Sequence, residues 1–501
     1  MEFLRLHFAD LQHLTPELTI IITMFLLTVI DLLLPKRFSR TLIGVLGLVG
    51  VIIAIVFVVT KLSDEPVSLL ANSYRVDDFG NLFKLLFLGG TGLIIFMSLG
   101  TVKEEEVPHV GELYYLLLPA LLGSMVMVSS GDLITMFIGL ELLSITTYVL
   151  VAMRKKNMKS AEGAFKYVVL GSIASAFILY GMSFVYGMTG TTNLSGMTEV
   201  LYQNFDSYST LIYLSFFLML AGLAFKIAAA PFHQWAPDVY QGAPMPVTTF
   251  LAVVSKGAAI AMLFRILYMI YYSLGTEELP FTDDMFLVIS VLAAAAMIMG
   301  NFLALRQRNL KRLFAYSGIA NAGYLLVPIA EQLTNFHVNN MPELYYYLVA
   351  YFLMNIGAFA VITVVTSASG HEEMSSFEGL YHRAPWTAVA MLVLVLSLAG
   401  LPITGGFFGK FFILLGAVHN GLYWLAIIMI VTSIASYFYY FAIVKQMFMR
   451  ASELDKPVKL TVSQAITIWL TAGLSILMGL FPQLLLGWVH DNFSLITGFF
   501  F

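Results

Sequence analysis

The sequence has no cysteine and few charged residues. Among its 501 residues, Asp, Glu, Lys and Arg together make up only 11%. The missing cysteine excludes disulfides, thiolate-bound zinc, iron–sulfur clusters and a cysteine nucleophile. Lys and Arg number 26 against 30 Asp and Glu, so the basic surface of a nucleic-acid-binding protein is missing too. We therefore expect no nucleic acid among the partners of this chain.

Apolar residues are present in excess. They make up 59% of the chain, and the mean hydropathy is +0.86, whereas a soluble domain is roughly 45–50% apolar. A soluble enzyme cannot bury this excess, because its surface grows with its size and must stay wetted. The composition predicts an all-α polytopic membrane protein whose first partner is the lipid bilayer.

Fourteen segments approach or exceed the ~20 apolar residues that a bilayer core of ~30 Å requires. They are residues 17–34, 41–60, 80–99, 112–130, 132–152, 162–187, 209–230, 246–272, 284–304, 311–330, 343–366, 387–419, 422–448 and 463–486. Pro231 ends the seventh segment, and Pro402, Gly405 and Gly406 interrupt the twelfth. Because proline and glycine break helices, we predict that both are broken near mid-membrane.

The layout of the spans contains a faint repeat. Helices four to eight and helices nine to thirteen begin at similar intervals, and each set contains one broken helix. Five is an odd number, so consecutive five-helix units must have opposite orientations. Inverted repeats with paired broken helices are typical of ion-coupled transporters. This predicts an N-terminal three-helix segment (1–111), two inverted repeats (112–272 and 283–448) and a C-terminal helix (449–501).

Loop charges predict the orientation. Only Arg5, Lys61 and Arg75 lie on one side, whereas seventeen cations lie on the alternate loops. The seventeen are Lys36, Arg37, Arg40, Lys103, Arg154, Lys155, Lys156, Lys159, Arg306, Arg308, Lys311, Arg312, Arg383, Lys445, Arg450, Lys456 and Lys459. Since cytoplasmic loops are enriched in Lys and Arg, we expect both termini to be extracytoplasmic.

Four ionisable residues fall near mid-depth in their spans. Glu141 is the one carboxylate placed in the middle of a span, and Lys226, Lys256 and Lys410 lie on the seventh, eighth and twelfth segments. A charge at this depth costs at least ~2.5–3.5 kcal/mol, so such residues are usually functional. A nearby carboxylate favours the charged form of a lysine that burial otherwise disfavours. The pattern predicts a proton relay, with a static ion pair between Glu141 and Lys226 as the alternative.

Other charged residues in spans have simpler interpretations. Lys84 and Lys166 lie near helix ends, where a lysine can extend to the interface, although Lys166 also qualifies as a site residue. Arg265 is interpreted as an interface anchor. His233 follows the break at Pro231 and either caps free carbonyls or passes protons to the cytoplasmic side.

Several stretches resemble a known family. The run from Phe225 to Lys256, FKIAAAPFHQWAPDVYQGAPMPVTTFLAVVSK, resembles the antiporter-like membrane subunits of respiratory complex I and of the Mrp antiporters. The motifs GLELLS at 139–144 and SAEGAFKY at 160–167 resemble one subunit type of bacterial NADH–quinone oxidoreductase. The resemblance covers nearly the whole chain.

The resemblance implies roles for single residues. It implies that Glu141 and Lys226 are a charge-coupled pair, that Lys256 is the central relay, and that Lys410 serves the second half-channel. It also matches Lys166 to a membrane-embedded lysine. One position departs from the family, because Asn321 stands in a helix-ten run that often carries histidine. An amide cannot hold an excess proton, so the link from Lys256 to Lys410 is expected to need water or to be weaker.

The resemblance further implies a function. We expect a multi-pass, proton-translocating subunit of a complex I-type translocase in the bacterial cytoplasmic membrane, beside other antiporter-like membrane subunits. No cofactor is expected in this chain, since NADH, FMN, Fe–S clusters and quinone belong to partner chains. A subunit of a cation/proton antiporter and a stand-alone ion-coupled transporter remain alternatives. The titratable midplane favours H⁺ as the transported ion.

Overall fold

The computed structural model describes residues 8–35, 38–62, 64–274, 281–331, 340–451 and 458–493. The described helices of the N-terminal part are α1 (Thr15–Leu33), α2 (Thr41–Val59), α3 (Asp78–Ser98), α4 (Val110–Ser129), α5 (Leu133–Val151), α6 (Met158–Thr189), α7 (Met197–Gln203) and α8 (Phe205–Ile227). Those that follow are α9 (Trp235–Gly242), α10 (Met245–Phe250), α11 (Lys256–Ile266), α12 (Phe281–Ala304), α13 (Leu310–Leu326), α14 (Met341–Ser369), α15 (Leu380–Arg383), α16 (Pro385–Ala399), α17 (Gly405–His419), α18 (Tyr423–Met449), α19 (Val462–Leu480) and α20 (Pro482–Asn492).

Most of these helices are long and apolar. Within the described ranges, twelve are long and apolar enough to cross a membrane, counting Met245–Tyr271 as one span. The predicted tenth segment corresponds to α13, which has 17 residues, and the twelfth corresponds to two half-helices of 15 residues each. The polytopic all-helical class is confirmed, whereas the count of fourteen, the inverted repeat and the four-part division stay predictions.

The chain has interruptions in the seventh and twelfth segments, where proline and glycine predicted them. Helix α8 ends at Ile227, and Ala228 follows in the left-handed region with φ of 60°. Helix α16 ends at Ala399, and Gly400 follows with φ of 85°. Each cap residue donates its N–H to the carbonyl four residues earlier. A left-handed C-cap thereby gives a hydrogen bond to one of the carbonyls that the end of the helix leaves without a partner.

Two short π-helical segments interrupt the eighth span. They cover Leu251–Ser255, directly before Lys256, and Leu267–Tyr271. Hydropathy gives no sign of them, because a π-turn changes the hydrogen-bond spacing and not the polarity of the side chains. The whole span is buried inside the protein, which places Lys256 in the interior.

A small hairpin joins α2 to α3. Strands β1 (Val67–Leu69) and β2 (Tyr74–Val76) pair antiparallel, with Val67 opposite Val76. The all-helical prediction had no place for it. Asp77 follows β2 and caps α3 by accepting a hydrogen bond from the backbone N–H of Gly80 at 2.7 Å.

Candidate functional site

Lys226 is buried at the end of α8 and faces α5. Its Nζ donates to the Ser144 hydroxyl at 2.8 Å and lies 3.5 Å from the Tyr148 hydroxyl. Glu141 lies one turn before Ser144 on α5 and makes no direct ion pair with Lys226 in the described structure. Its Oε1 is buried and has no hydrogen-bond partner in the part of the chain that the structure describes. Ser144, and not Glu141, is therefore the direct partner of Lys226 on α5, and the charge coupling of Glu141 and Lys226 stays a prediction.

Lys256 lies deeper than Lys226, with 2% of its surface exposed. Its Nζ donates to the backbone carbonyl of Gly318 on α13, and it lies 5.7 Å from the ring centre of Tyr351 on α14. A Cβ atom at position 318 would be 3.2 Å from this Nζ, which is tighter than most real contacts. Glycine at 318 thus lets the lysine approach the α13 backbone.

Lys410 lies in the first turns of α17, just after the second break. Its Nζ donates to the carbonyl of Leu398 at 2.9 Å and lies 3.5 Å from that of Ala399, so it covers the open C-terminal end of α16. It also lies 4.8 Å from the ring centre of Tyr324. The negative end of a helix dipole favours a cation at this place.

The residues of the second break hold this geometry. Pro402 lies in the connection between α16 and α17, and Thr404 caps α17. The N–H of Gly406 donates to the Ser397 hydroxyl at 3.1 Å, and a Cβ at 406 would lie only 2.0 Å from the Ser397 carbonyl oxygen. Position 406 therefore requires glycine. Gly405 has a looser fit, since its Cβ would meet Met478 at 3.0 Å.

At the first break, the indole of Trp235 makes the capping hydrogen bond that the sequence suggested for His233. Trp235 donates from Nε1 to the Phe225 carbonyl at 2.9 Å, so it caps one of the carbonyls freed by the break at Pro231. His233 is buried, and its Nδ1 has no hydrogen-bond partner among the described residues. Its ring lies 6.4 Å from that of Tyr316. Neither role predicted for His233 is tested by these contacts.

Lys166 lies apart from the buried lysines. Its Nζ is 2.6 Å from both Glu162 and Asp238, and its side chain is partly exposed. Arg312 pairs with the other oxygen of Asp238. Two carboxylates hold the positive charge of Lys166, in contrast to the neutral partners of Lys226, Lys256 and Lys410.

Two interpretations from the sequence are wrong. Lys84 does not extend to an interface, because it is buried and lies 2.9 Å from Glu17 of α1. Arg265 is not an interface anchor, because it is 0% exposed and binds both oxygens of Asp77 at 2.9 and 2.8 Å. Linear distance from a helix end suggested exposure, but helices packed around these ends cover them.

Three further groups were missed. Lys311, counted among the loop cations, is buried and bridges Glu372 at 2.8 Å and the Ala243 carbonyl at 2.9 Å. Glu331, just after α13, is 2% exposed, and burial raises its pKa, with the charge of Glu343 acting in the same direction. Outside the spans, burial also lowers the pKa of Lys61 to about 8. The hydropathy pattern gives no sign of the burial of these three side chains or of the contacts of Lys311.

The side chain of Asn321 makes hydrogen bonds to two neighbouring residues. Its Nδ2 donates to the Ser317 carbonyl at 2.9 Å, and its Oδ1 accepts from the Tyr347 hydroxyl at 2.6 Å. No signal in the sequence singled out Tyr347, since it is one of 25 tyrosines.

Comparison with known proteins gives consistent results. Residues 130–436 match the family model described as NADH:quinone oxidoreductase/Mrp antiporter, TM. A curated relative from Paenibacillus sp. (strain JDR-2), NADH-quinone oxidoreductase subunit N, is 50% identical over 100% of this chain and 99% of its own length.

Two solved structures share the architecture. A chain of respiratory complex I from Thermus thermophilus with bound aureothin has a TM-score of 0.78 and 31% identity, covering 94% of this chain and 98% of its own. A chain of the Mrp complex from Dietzia sp. DQ12-45-1b has a TM-score of 0.80 at 20% identity, covering 95% and 96% of the two chains. The second likeness concerns the fold alone.

Proposed function

This chain belongs to the NADH:quinone oxidoreductase/Mrp antiporter family of membrane subunits, and from this premise we infer that it is subunit N of a bacterial NADH–quinone oxidoreductase. It acts in the cell membrane as one subunit of a multi-subunit translocase. The 31% identity to a complex I chain and the curated relatives support this function over that of an antiporter subunit. NADH, FMN, Fe–S clusters and quinone are assigned to partner chains.

Within this chain, Glu141, Lys226, Lys256 and Lys410 form a proton relay. One observation supports it above the others: each of the three lysines donates to a neutral oxygen, from Ser144, Gly318 or Leu398. By contrast, Lys84 and Arg265 are matched directly with carboxylates. A buried lysine that donates to a neutral oxygen can release its proton without breaking a direct ion pair, so these three lysines suit proton transfer, whereas the directly paired cations suit a structural role.

The energies have the right size. Two unit charges ~7 Å apart in an effective dielectric of ~20 interact by about 2.4 kcal/mol. Moving one charge against ~150 mV costs about 3.5 kcal/mol. With Glu141 and Lys226 at an assumed separation of this size, making and breaking their interaction would supply much of the work of moving one proton. Two further residues are assigned roles: Lys166, paired with Glu162 and Asp238, as a fixed charge near α9, and His233, after the first break, as a proton carrier.

Replacing Lys256 tests the function. In the whole complex reconstituted into vesicles, Lys256→Ala should lower proton pumping by about tenfold or more while assembly is intact. Lys256→Arg should not restore pumping, because arginine does not release its proton. The exposed Lys445→Ala serves as the control and should pump normally. Full pumping by the arginine variant would contradict the relay.

Ion and orientation are tested separately. An antiporter subunit would require Na⁺ or K⁺ for proton movement, so pumping that persists when these cations are replaced by choline supports H⁺ transport. Both termini are proposed to be extracytoplasmic. Several residues behind this proposal, Arg5, Lys36, Arg37 and Lys456, lie outside the described residues, as do both chain ends. A terminal reporter active only in the cytoplasm would contradict it.

A further inference from the structure

Buried hydroxyl and amide side chains lie beside Lys256, beside Lys410 and on the helices around them. We call them the tyrosine cluster, and they come from α13, α14 and α18. Every member is buried. The members are Ser317, Asn321, Tyr324, Tyr347, Tyr351 and Tyr440. None of them was singled out as a proton carrier by the sequence.

One end of the tyrosine cluster lies beside Lys256, whose Nζ is 5.7 Å from the ring centre of Tyr351. A Cβ atom built on Gly318 would lie 3.2 Å from Lys256 Nζ and also 3.2 Å from the Tyr351 hydroxyl, so both groups converge on the same point of α13. The Tyr351 hydroxyl is buried and makes no hydrogen bond to any residue that the structure describes. It therefore has a free lone pair and a free proton beside the lysine.

The middle is a hydrogen-bonded network. The Ser317 hydroxyl bonds the Tyr440 hydroxyl. Asn321 donates to the Ser317 carbonyl and accepts from the Tyr347 hydroxyl. Tyr347 and Tyr351 are four residues apart, on one face of α14 and about 6 Å apart along it. The network thus links helices α13, α14 and α18 by side-chain hydrogen bonds.

The other end reaches Lys410. The Tyr324 ring lies 4.8 Å from Lys410 Nζ, and its hydroxyl lies 3.1 Å from the Thr432 hydroxyl. Tyr347 presses against the helix of Lys410, since a Cβ on Gly409 would lie 2.4 Å from the Tyr347 ring. A cavity of about 210 Å³ adjoins Tyr324 and Lys410. This cavity is open to the outer surface and lined mainly by apolar side chains, among them Phe411 and Ile434, so it is not taken as part of the path.

We propose that the tyrosine cluster carries the proton between Lys256 and Lys410, an inference that rests on the proposed relay. A hydroxyl both accepts and donates. The Nζ–H bond of the Lys256 ammonium breaks as an O–H bond forms on Tyr351, which releases its own proton to the next oxygen. The last oxygen protonates the Lys410 amine. Each phenol ends neutral, and water fills steps longer than a hydrogen bond.

Asn321 has a positioning role in this path. Its amide holds the Tyr347 hydroxyl in place, but it takes up no excess proton. A histidine at 321 would supply a group that both accepts and donates. It should therefore be able to replace a missing Tyr347 hydroxyl, whereas a purely structural contact would not be replaced in this way.

Adjacent tyrosines provide the test. Tyr346 is also buried, but its hydroxyl donates to the Met478 carbonyl at 2.7 Å, away from the tyrosine cluster. In vesicles containing the whole complex, Tyr347→Phe should lower pumping by about tenfold and Tyr346→Phe should leave it unchanged. Adding Asn321→His to Tyr347→Phe should recover most of the loss.

A second variant, Tyr351→Phe, distinguishes a loss of proton transfer from a loss of assembly. Tyr351→Phe removes a hydroxyl that has no described hydrogen bond, so assembly should be intact while pumping falls. If Lys256→Ala abolishes pumping but both Tyr347→Phe and Tyr351→Phe pump normally, the tyrosine cluster is not the path and the relay function stands. If Lys256→Ala itself pumps normally, the relay function fails. Equal losses in Tyr346→Phe and Tyr347→Phe, without rescue by histidine, would show a packing role and overturn the proposal.

Discussion

The two helix breaks hold their lysines in different ways. Lys226 precedes its break and donates to a hydroxyl of another helix, whereas Lys410 follows its break and donates to the carbonyl end of α16. A helix C-terminus carries about half a negative charge, and this charge is permanent. Glu141, near Lys226, is instead a side-chain carboxyl group, whose charge is not fixed by the backbone. The first break is thus suited to switching, and the second to a constant field.

The largest contrast should come from removing each lysine. Lys410→Met leaves the Leu398 carbonyl without this donor, so we expect a loss of about 1–3 kcal/mol of stability in addition to the loss of pumping. Lys226→Met removes the donor to the Ser144 hydroxyl, but this hydroxyl also donates to the Leu140 carbonyl at 2.7 Å and so keeps a hydrogen bond. It should lower pumping by about tenfold at a smaller cost in stability. Retention of the subunit after heating the purified complex measures the difference.

Equal losses of stability in these two variants would remove the contrast. Lys445→Met is the matched control, because Lys445 is exposed on α18 and should change neither stability nor pumping.

The next effect concerns coupling at the first break. Glu141→Gln and Lys226→Met should each lower pumping by about tenfold, and the double variant should be no worse than the poorer single one, because the coupling is already lost. Turnover and pumping assays on the three complexes check this. Losses that add in free energy would indicate independent roles. Recovery in the double variant would indicate a structural pair.

The smallest effect concerns the two left-handed caps. Gly400→Ala should lower stability by about 1–2 kcal/mol, because a Cβ is unfavourable in this conformation and would lie 3.2 Å from Lys410 Cδ. Ala228 has a Cβ and already adopts this unfavourable conformation, with φ of 60°. Ala228→Gly should therefore raise stability by about 0.5 kcal/mol, since the relief exceeds the added chain entropy. Heating assays of the complexes compare the two, and opposite signs are expected.

The sequence was most informative where chemistry and position coincide. Pro231 and Pro402 predicted both interruptions, because a proline lacks the N–H that helix continuation needs. Glu141 and Lys256 were found because charges are rare in apolar spans. Lys84, Arg265 and Lys311 were misplaced, since their burial depends on helices from distant parts of the chain that cover their ends.

The amino-acid sequence by itself determined the membrane class, the positions of the helix breaks and the identity of the buried lysines, because hydropathy, proline and charge are local properties. Tertiary structure alone decided their partners. It placed Ser144 and not Glu141 against Lys226, the α13 backbone against Lys256, and the end of α16 against Lys410. It also selected Tyr347 over its neighbour Tyr346, because only helix packing fixes which face of α14 meets the two lysines.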